Sequence, residues 1–226
     1  MVSSSTRRQR LWWNGGRFDD TRHSGIFTVK TEPRPSGSGN RLRFLTGSAL
    51  RITMGVPRPP LNGNQNMITG DQLVQELRLM GVTHVVWLPD STLGQWEQAL
   101  DAAGSPQLIR VCREGEAWAI AAGLHLGGAA PLVMIQCTGL FDSGDSLRNF
   151  LFDYELPLFA VIGYRNFLNP DAVDSARTFT EPNLRSWGID YRLMERGDQL
   201  GILREHYAAC RDAGKPGVVL VGEGRM

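Results

Sequence analysis

The stretch TGDQLVQELRLMGVTHVVWLPD, residues 69–90, changes its hydrophobic period partway along, and that change decides the fold class. Thr69 and Gln72 have capping-box spacing, so the Thr hydroxyl and the Gln amide can each satisfy a free N–H of a first helical turn. Leu73, Val74, Leu77 and Met80 then recur at three- and four-residue intervals, one apolar face of a helix that Gly81 ends. His84–Leu88 is a short, largely apolar run bounded by Pro89-Asp90, which reads as a buried strand.

The same alternation runs on to the end of the chain. A helix over about 92–103 leads to a strand at Leu108–Cys112, and a helix over 115–126 to a strand at Pro131–Gln136. A helix over about 142–152 leads to Leu158–Ile162, and a segment over 171–187 to a strand at about 190–193. A helix over 198–213 precedes a last strand, Val218–Val221. Six strands that read as continuous apolar runs and alternate with helices predict an α/β fold. The expected architecture is an open, doubly wound, six-stranded, mostly parallel sheet with helices on both faces, formed by residues 67–226. Ligands of such sheets bind beyond the carboxyl ends of the strands. Attention therefore falls on residues 89–92, 113–116, 137–143 and 163–166.

Residues 1–66 read differently. They are rich in Arg, Ser, Gly, Pro and Asn and hold no sustained period, so they cannot bury enough apolar surface to offset their ordering entropy. A disordered basic tail is expected. An over-extended start, with translation beginning at Met54 or Met67, explains it best; an Arg-rich transit peptide is the other reading. The formal charge of +1 over 226 residues hides this division: residues 1–60 carry 11 basic and 3 acidic residues, a net of +8, and the rest a net of −7. A uniformly basic nucleic-acid binder is excluded, because the foldable part is acidic. No apolar run approaches the ~20 residues of a membrane span, and no secretory signal is evident. Cys112, Cys137 and Cys210 include no CxxC pair, so neither a disulfide framework nor a zinc site is expected. No metal ligands are assigned, and a reducing, cytoplasmic location is the simpler reading.

Glu114 stands where a strand stops and a small-sided helix starts (Ala117, Ala119, Ala121, Ala122, Gly123). By itself this placement fits a carboxylate that complements the positive end of a helix, as does Glu116. Thr138, Gly139 and Ser143 follow the next strand and fit either a ligand cradle or an ordinary Gly-rich turn with Asp142 or Ser143 as N-cap. GDSL at 144–147 spells a serine-hydrolase signature, but Ser146 falls within a predicted helix and no Asp-x-x-His follows it in the chain, Asp20–His23 lying far upstream. Cys137 has no histidine among the other strand-end residues and reads as a small core residue. His84 and His125 read as structural. Neither GxGxxG nor GxxxxGK[ST] occurs.

REGEAWAIAAG (113–123), a strand ending QCTG (136–139) and LPLFAVIGYRN (156–166) together resemble the pyrimidine-binding domain of thiamine diphosphate enzymes. The likeness is greatest to the alpha subunit of sulfopyruvate decarboxylase and the matching half of phosphonopyruvate decarboxylase, and covers about 69–222. Glu114 stands nine residues before Gly123, as the family's Glu does before its helix glycine, and Leu88-Pro89-Asp90-Ser91 matches its first strand end. The third strand end departs from the family's Gln-Asn-Ser-Gly-Leu-Gly-Asn at Cys137, Thr138, Phe141 and Asp142, with Phe141 expected to fill space near the ligand.

The resemblance implies that Glu114 is catalytic. Its carboxyl would lie beside N1′ of the aminopyrimidine and favour the tautomer that can take the thiazolium proton. Thr138 and Gly139 would join Glu114 in holding thiamine diphosphate. Pro89, Asp90 and Ser91 would line the substrate side, and Arg113 and Arg165 would bind the acidic groups of a small 2-oxo acid. The family's diphosphate and Mg2+ are held through a Gly-Asp-Gly motif that this chain lacks, so a beta subunit and a hetero-oligomer are expected. A catalytically degenerate regulatory or assembly subunit is the competing expectation; a stand-alone flavodoxin-like binding module lacks a phosphate loop.

Overall fold

A computed structural model describes residues 68–223. The readings made for residues 1–66 lie outside the described residues. The first helix, α1 (Gly70–Leu79), opens on the expected capping box: Gln72 N–H donates to Thr69 Oγ1 at 3.2 Å and Thr69 N–H to Gln72 Oε1 at 2.9 Å. The chain then alternates through β1 (His84–Trp87), α2 (Glu97–Ala103), β2 (Gln107–Arg110), α3 (Glu114–Leu126) and β3 (Pro131–Gln136). After β3 come α4 (Cys137–Asp142), α5 (Gly144–Arg148), β4 (Phe159–Tyr164), α6 (Ser175–Ser186), β5 (Asp190–Met194), α7 (Gly201–Ala213) and β6 (Gly217–Gly222).

The six strands form one sheet in the order β2-β1-β3-β4-β6-β5, with every neighbouring pair parallel. Parallel neighbours need a crossover, and crossovers are right-handed, so the direction of travel across the sheet selects the face each helix covers. Alternation along the strands makes this visible. Val86, Val133, Ile135, Ala160, Ile162, Val218 and Leu220 face one cluster with residues of α3–α6. Val85, Trp87, Leu132, Met134, Phe159, Val161 and Val219 face a second cluster with α1, α2 and α7. Both faces are covered, which is why the central strands read as unbroken apolar runs.

Two stretches differ from the sequence reading. The helix expected from about 92 begins as a 3-10 turn at Gly94–Trp96 and becomes α2 only at Glu97. The cause is Asp90, whose Oδ1 accepts from the N–H groups of Thr92 at 2.8 Å and Leu93 at 3.0 Å and so holds the preceding residues in a turn. The Gly-rich turn considered after β3 is instead a helix: α4 starts at Cys137, directly off the strand. Leu140 and Cys137 anchor it in the core, both fully buried, and the Ser143 hydroxyl donates back to the Gly139 carbonyl rather than capping α5.

Candidate functional site

Chain order reverses between β1 and β3, so the crevice beyond their carboxyl ends is the switch point where open parallel sheets bind ligands. Pro89–Ser91 follow β1, Glu114 follows β2, and Thr138 and Gly139 follow β3, all at the carboxyl end of the sheet. Glu114 is the first residue of α3, after Arg113 as N-cap. The two acidic residues of this turn part company. Glu116 accepts from the Cys112 N–H at 3.2 Å and so caps the helix. Glu114 is half-buried and makes no hydrogen bond or ion pair among the described residues. Its side chain lies over Gly139 of α4, where an added Cβ would come 2.3 Å from Glu114 Cγ and 2.6 Å from Oε1. Only a residue without a side chain lets the carboxylate lie there.

On the other side of the crevice the Asp90 carboxylate is held within its own turn. Besides the two N–H groups above, it accepts from the Trp87 indole N–H at 3.3 Å. Burial pushes its pKa up, against those donors. Pro89 and Ser91 are exposed beside it. The turn passes so close over β4 that a Cβ on Gly163 would fall 2.8 Å from Thr92 Cβ. Gln136, at the end of β3, joins the two sides: its Nε2 donates to Thr92 Oγ1 at 3.0 Å and Ser91 Oγ at 3.3 Å, while its Oε1 accepts from Thr138 at 3.0 Å. Thr92 in turn donates to Glu223, just past β6, at 2.8 Å. Sequence reasoning assigned no role to Gln136, Thr92 or Glu223. The signal for Gln136 was present, as the one polar residue closing PLVMIQ; nothing local pointed to Glu223.

The two arginines differ in availability. Arg113 is exposed and within 3.7 Å of Asp142, one of the positions that departs from the family pattern. Arg165 is tied to Asp174 through Nε at 2.9 Å and Nη2 at 3.2 Å, and Asn166 donates to the same carboxylate at 2.9 Å. Asp174 also caps α6 through the Ala176 N–H. The Arg165 guanidinium, and then these N–H donors, hold the Asp174 carboxyl far below the usual carboxylate range. A depressed folded value means the stabilisation is present above the unfolded pKa of about 3.9 and lost as pH falls toward the folded value. Asp174→Asn is therefore expected to flatten the decline in urea midpoint between about pH 6 and about pH 3; identical declines in both proteins refute this.

Phe141, expected to fill space near the ligand, lines a surface depression with Phe179, Pro182, Asn183 and Ser186, between α4 and α6. Cys137 is fully buried and its thiol pKa is pushed up by that burial, the opposite of an activated nucleophile. Ser146 lies within α5, as expected. His84 bonds Thr83 at the amino end of β1, His125 is in the last turn of α3 and His206 is buried in α7, all away from these strand ends. Among the described residues no cluster of three His, Cys, Asp or Glu is placed to hold a metal, and no helix is long and apolar enough to cross a membrane.

No family profile matches the chain. Phosphonopyruvate decarboxylase of Streptomyces viridochromogenes is 31% identical over 148 residues, which is 64% of this chain and 37% of that protein. The crystal structure of benzoylformate decarboxylase from Polynucleobacter necessarius superposes with a TM-score of 0.53 at 22% identity, over 69% of this chain and 30% of that one. The chain thus spans about a third of the length of both relatives. Six parallel strands and these two likenesses show that the chain shares part of the fold of such decarboxylases.

Proposed function

We propose that the chain is an alpha-type subunit of a thiamine diphosphate-dependent decarboxylase of 2-oxo acids, of the sulfopyruvate or phosphonopyruvate class, and that its domain binds the aminopyrimidine. The observation that carries this reading is Glu114, a carboxylate at a helix start with no protein partner among the described residues, lying on a glycine that leaves no room for a side chain. That donor set fits the cofactor: an unpaired carboxyl is what a ring nitrogen needs, and the Gly139 surface admits close approach.

Glu114 would hold or share the proton at N1′, and Thr138 and Gly139 would border the same ring. Bound thiamine diphosphate supplies the electron sink for loss of carbon dioxide from the 2-oxo acid. Ser91, exposed beside Pro89 and the internally held Asp90, faces the substrate with its hydroxyl. Arg113 is the freer cation for an acidic substituent; Arg165, with two of its five N–H donors on Asp174, serves with those remaining. Mg2+ and the diphosphate are held by a beta subunit in a cytoplasmic hetero-oligomer.

Carbon dioxide release from phosphonopyruvate and sulfopyruvate, with thiamine diphosphate and Mg2+, tests this. The chain alone is expected to release none, and coexpression with a chain bearing the Gly-Asp-Gly motif to give release. Activity of the purified chain by itself removes the heteromer. A folded, assembled pair that releases nothing removes the decarboxylase and leaves the regulatory role.

A further inference from the structure

The side chain of Gln136 touches both walls of the crevice, and a Gln amide can lie either way round. Its neighbours decide which. Thr92 has a single hydroxyl proton, and it goes to Glu223 Oε2 at 2.8 Å, because a carboxylate only accepts. Asp90, on the same turn, already accepts from the N–H groups of Thr92 and Leu93 and from Trp87. With its proton committed, Thr92 turns lone pairs toward Gln136, and only the amide nitrogen can meet them, at 3.0 Å. Gln136 Oε1 must then face Thr138 and draw that hydroxyl proton, at 3.0 Å, while Ser91 accepts from Nε2 at 3.3 Å and keeps its own proton.

We propose that Glu223, acting through Thr92, sets the orientation of the Gln136 amide, and that Gln136 is the positioning residue that leaves Ser91 a hydrogen-bond donor and Thr138 an acceptor toward the ligand. The proposal rests on the reading of this crevice as the ligand site. A Ser91 donor suits an anionic oxygen of an acid substrate, and a Thr138 acceptor suits an N–H group. An amide the other way round would reverse both preferences. Gln136 and Glu223 act through their neighbours and are not catalytic residues.

The test uses the 15N-labelled full chain and the side-chain NH2 resonances of Gln136, assigned by their loss in Gln136→Met. Wild type is expected to show cross-peaks from these protons to Thr92 and Ser91. Glu223→Leu frees the Thr92 proton to donate to Gln136, so the Thr92 cross-peaks should be lost and contacts to the Thr138 side chain should replace them. Glu223→Gln retains an acceptor oxygen and should keep the wild-type pattern, a rescue that a space-filling role does not require. Thr92→Val, which keeps the shape and removes the acceptor, should also lose the wild-type pattern. Unchanged cross-peaks in Glu223→Leu, or in Thr92→Val should the first variant not fold, overturn the proposal. No cofactor or partner is present in these spectra, so a failed decarboxylase assay leaves this result standing, and a failure here leaves the role of Glu114 standing.

Discussion

Glu114→Gln is expected to lower kcat for decarboxylation by about 10^2–10^4-fold in the assembled enzyme, the usual contribution of a positioned acid–base group. The amide has the carboxyl's size and keeps its place over Gly139, but it cannot exchange a proton with a ring nitrogen. The accompanying cost in stability is small. Glu114 has no partner to lose among the described residues, only its interaction with the start of α3, worth about 0.3–1 kcal/mol. The loss of rate corresponds to about 3–5 kcal/mol of barrier, so catalysis falls far more than folding does. Glu114→Asp should fail as well, through reach rather than proton exchange: one methylene fewer draws the carboxyl back from the ring. Carbon dioxide release assayed beside urea unfolding separates the two effects. Wild-type rates in Glu114→Gln would remove the assigned role altogether.

Gly139→Ala carries the second large effect, because the new methyl would stand 2.3 Å from Glu114 Cγ and 2.8 Å from its Cδ. Gly139 is inside α4, where alanine is ordinarily worth up to about 1 kcal/mol more than glycine. Overpacking at a crowded position typically costs about 1–3 kcal/mol and is relieved by whichever group can move. The Glu114 side chain is the mobile party, half-buried and without a hydrogen bond among the described residues. It is therefore expected to swing off Gly139, leaving stability within about 2 kcal/mol of wild type while kcat falls by about 10^2-fold or more. Adding Gly139→Ala to Glu114→Gln should cost little further activity, since both changes remove the same function. A double variant whose losses multiply would show that Gly139 acts independently of Glu114.

Much of this fold is legible along the chain. Thr69 and Gln72 announce α1, the run Pro131–Gln136 is β3 residue for residue, and the unbroken apolar strands imply a sheet covered on both faces. The stretch Cys137–Asp142 is misread because Thr138 and Gly139 are poor helix formers whose spacing suits a turn. Burial of Cys137 and Leu140 and the bond from Ser143 to the Gly139 carbonyl override that preference. The site divides along the same line. Glu114 can be singled out from its place before a small-residue helix, yet nothing local distinguishes it from Glu116, which turns out to cap that helix.

Hydrophobic period and capping are properties of neighbours in the chain, and so the order of helices and strands, their parallel arrangement and the end of the sheet at which such folds take ligands follow from the sequence alone. Which strand lies beside which, and so which side chains meet, depends on the direction of each crossover and on packing across the sheet. Thr92 and Glu223 are 131 residues apart and bonded. The carboxylate of Glu114 rests on Gly139 because α3 and α4 pack together on one face. Those meetings are tertiary, because no local pattern encodes a distance between residues that only folding makes neighbours.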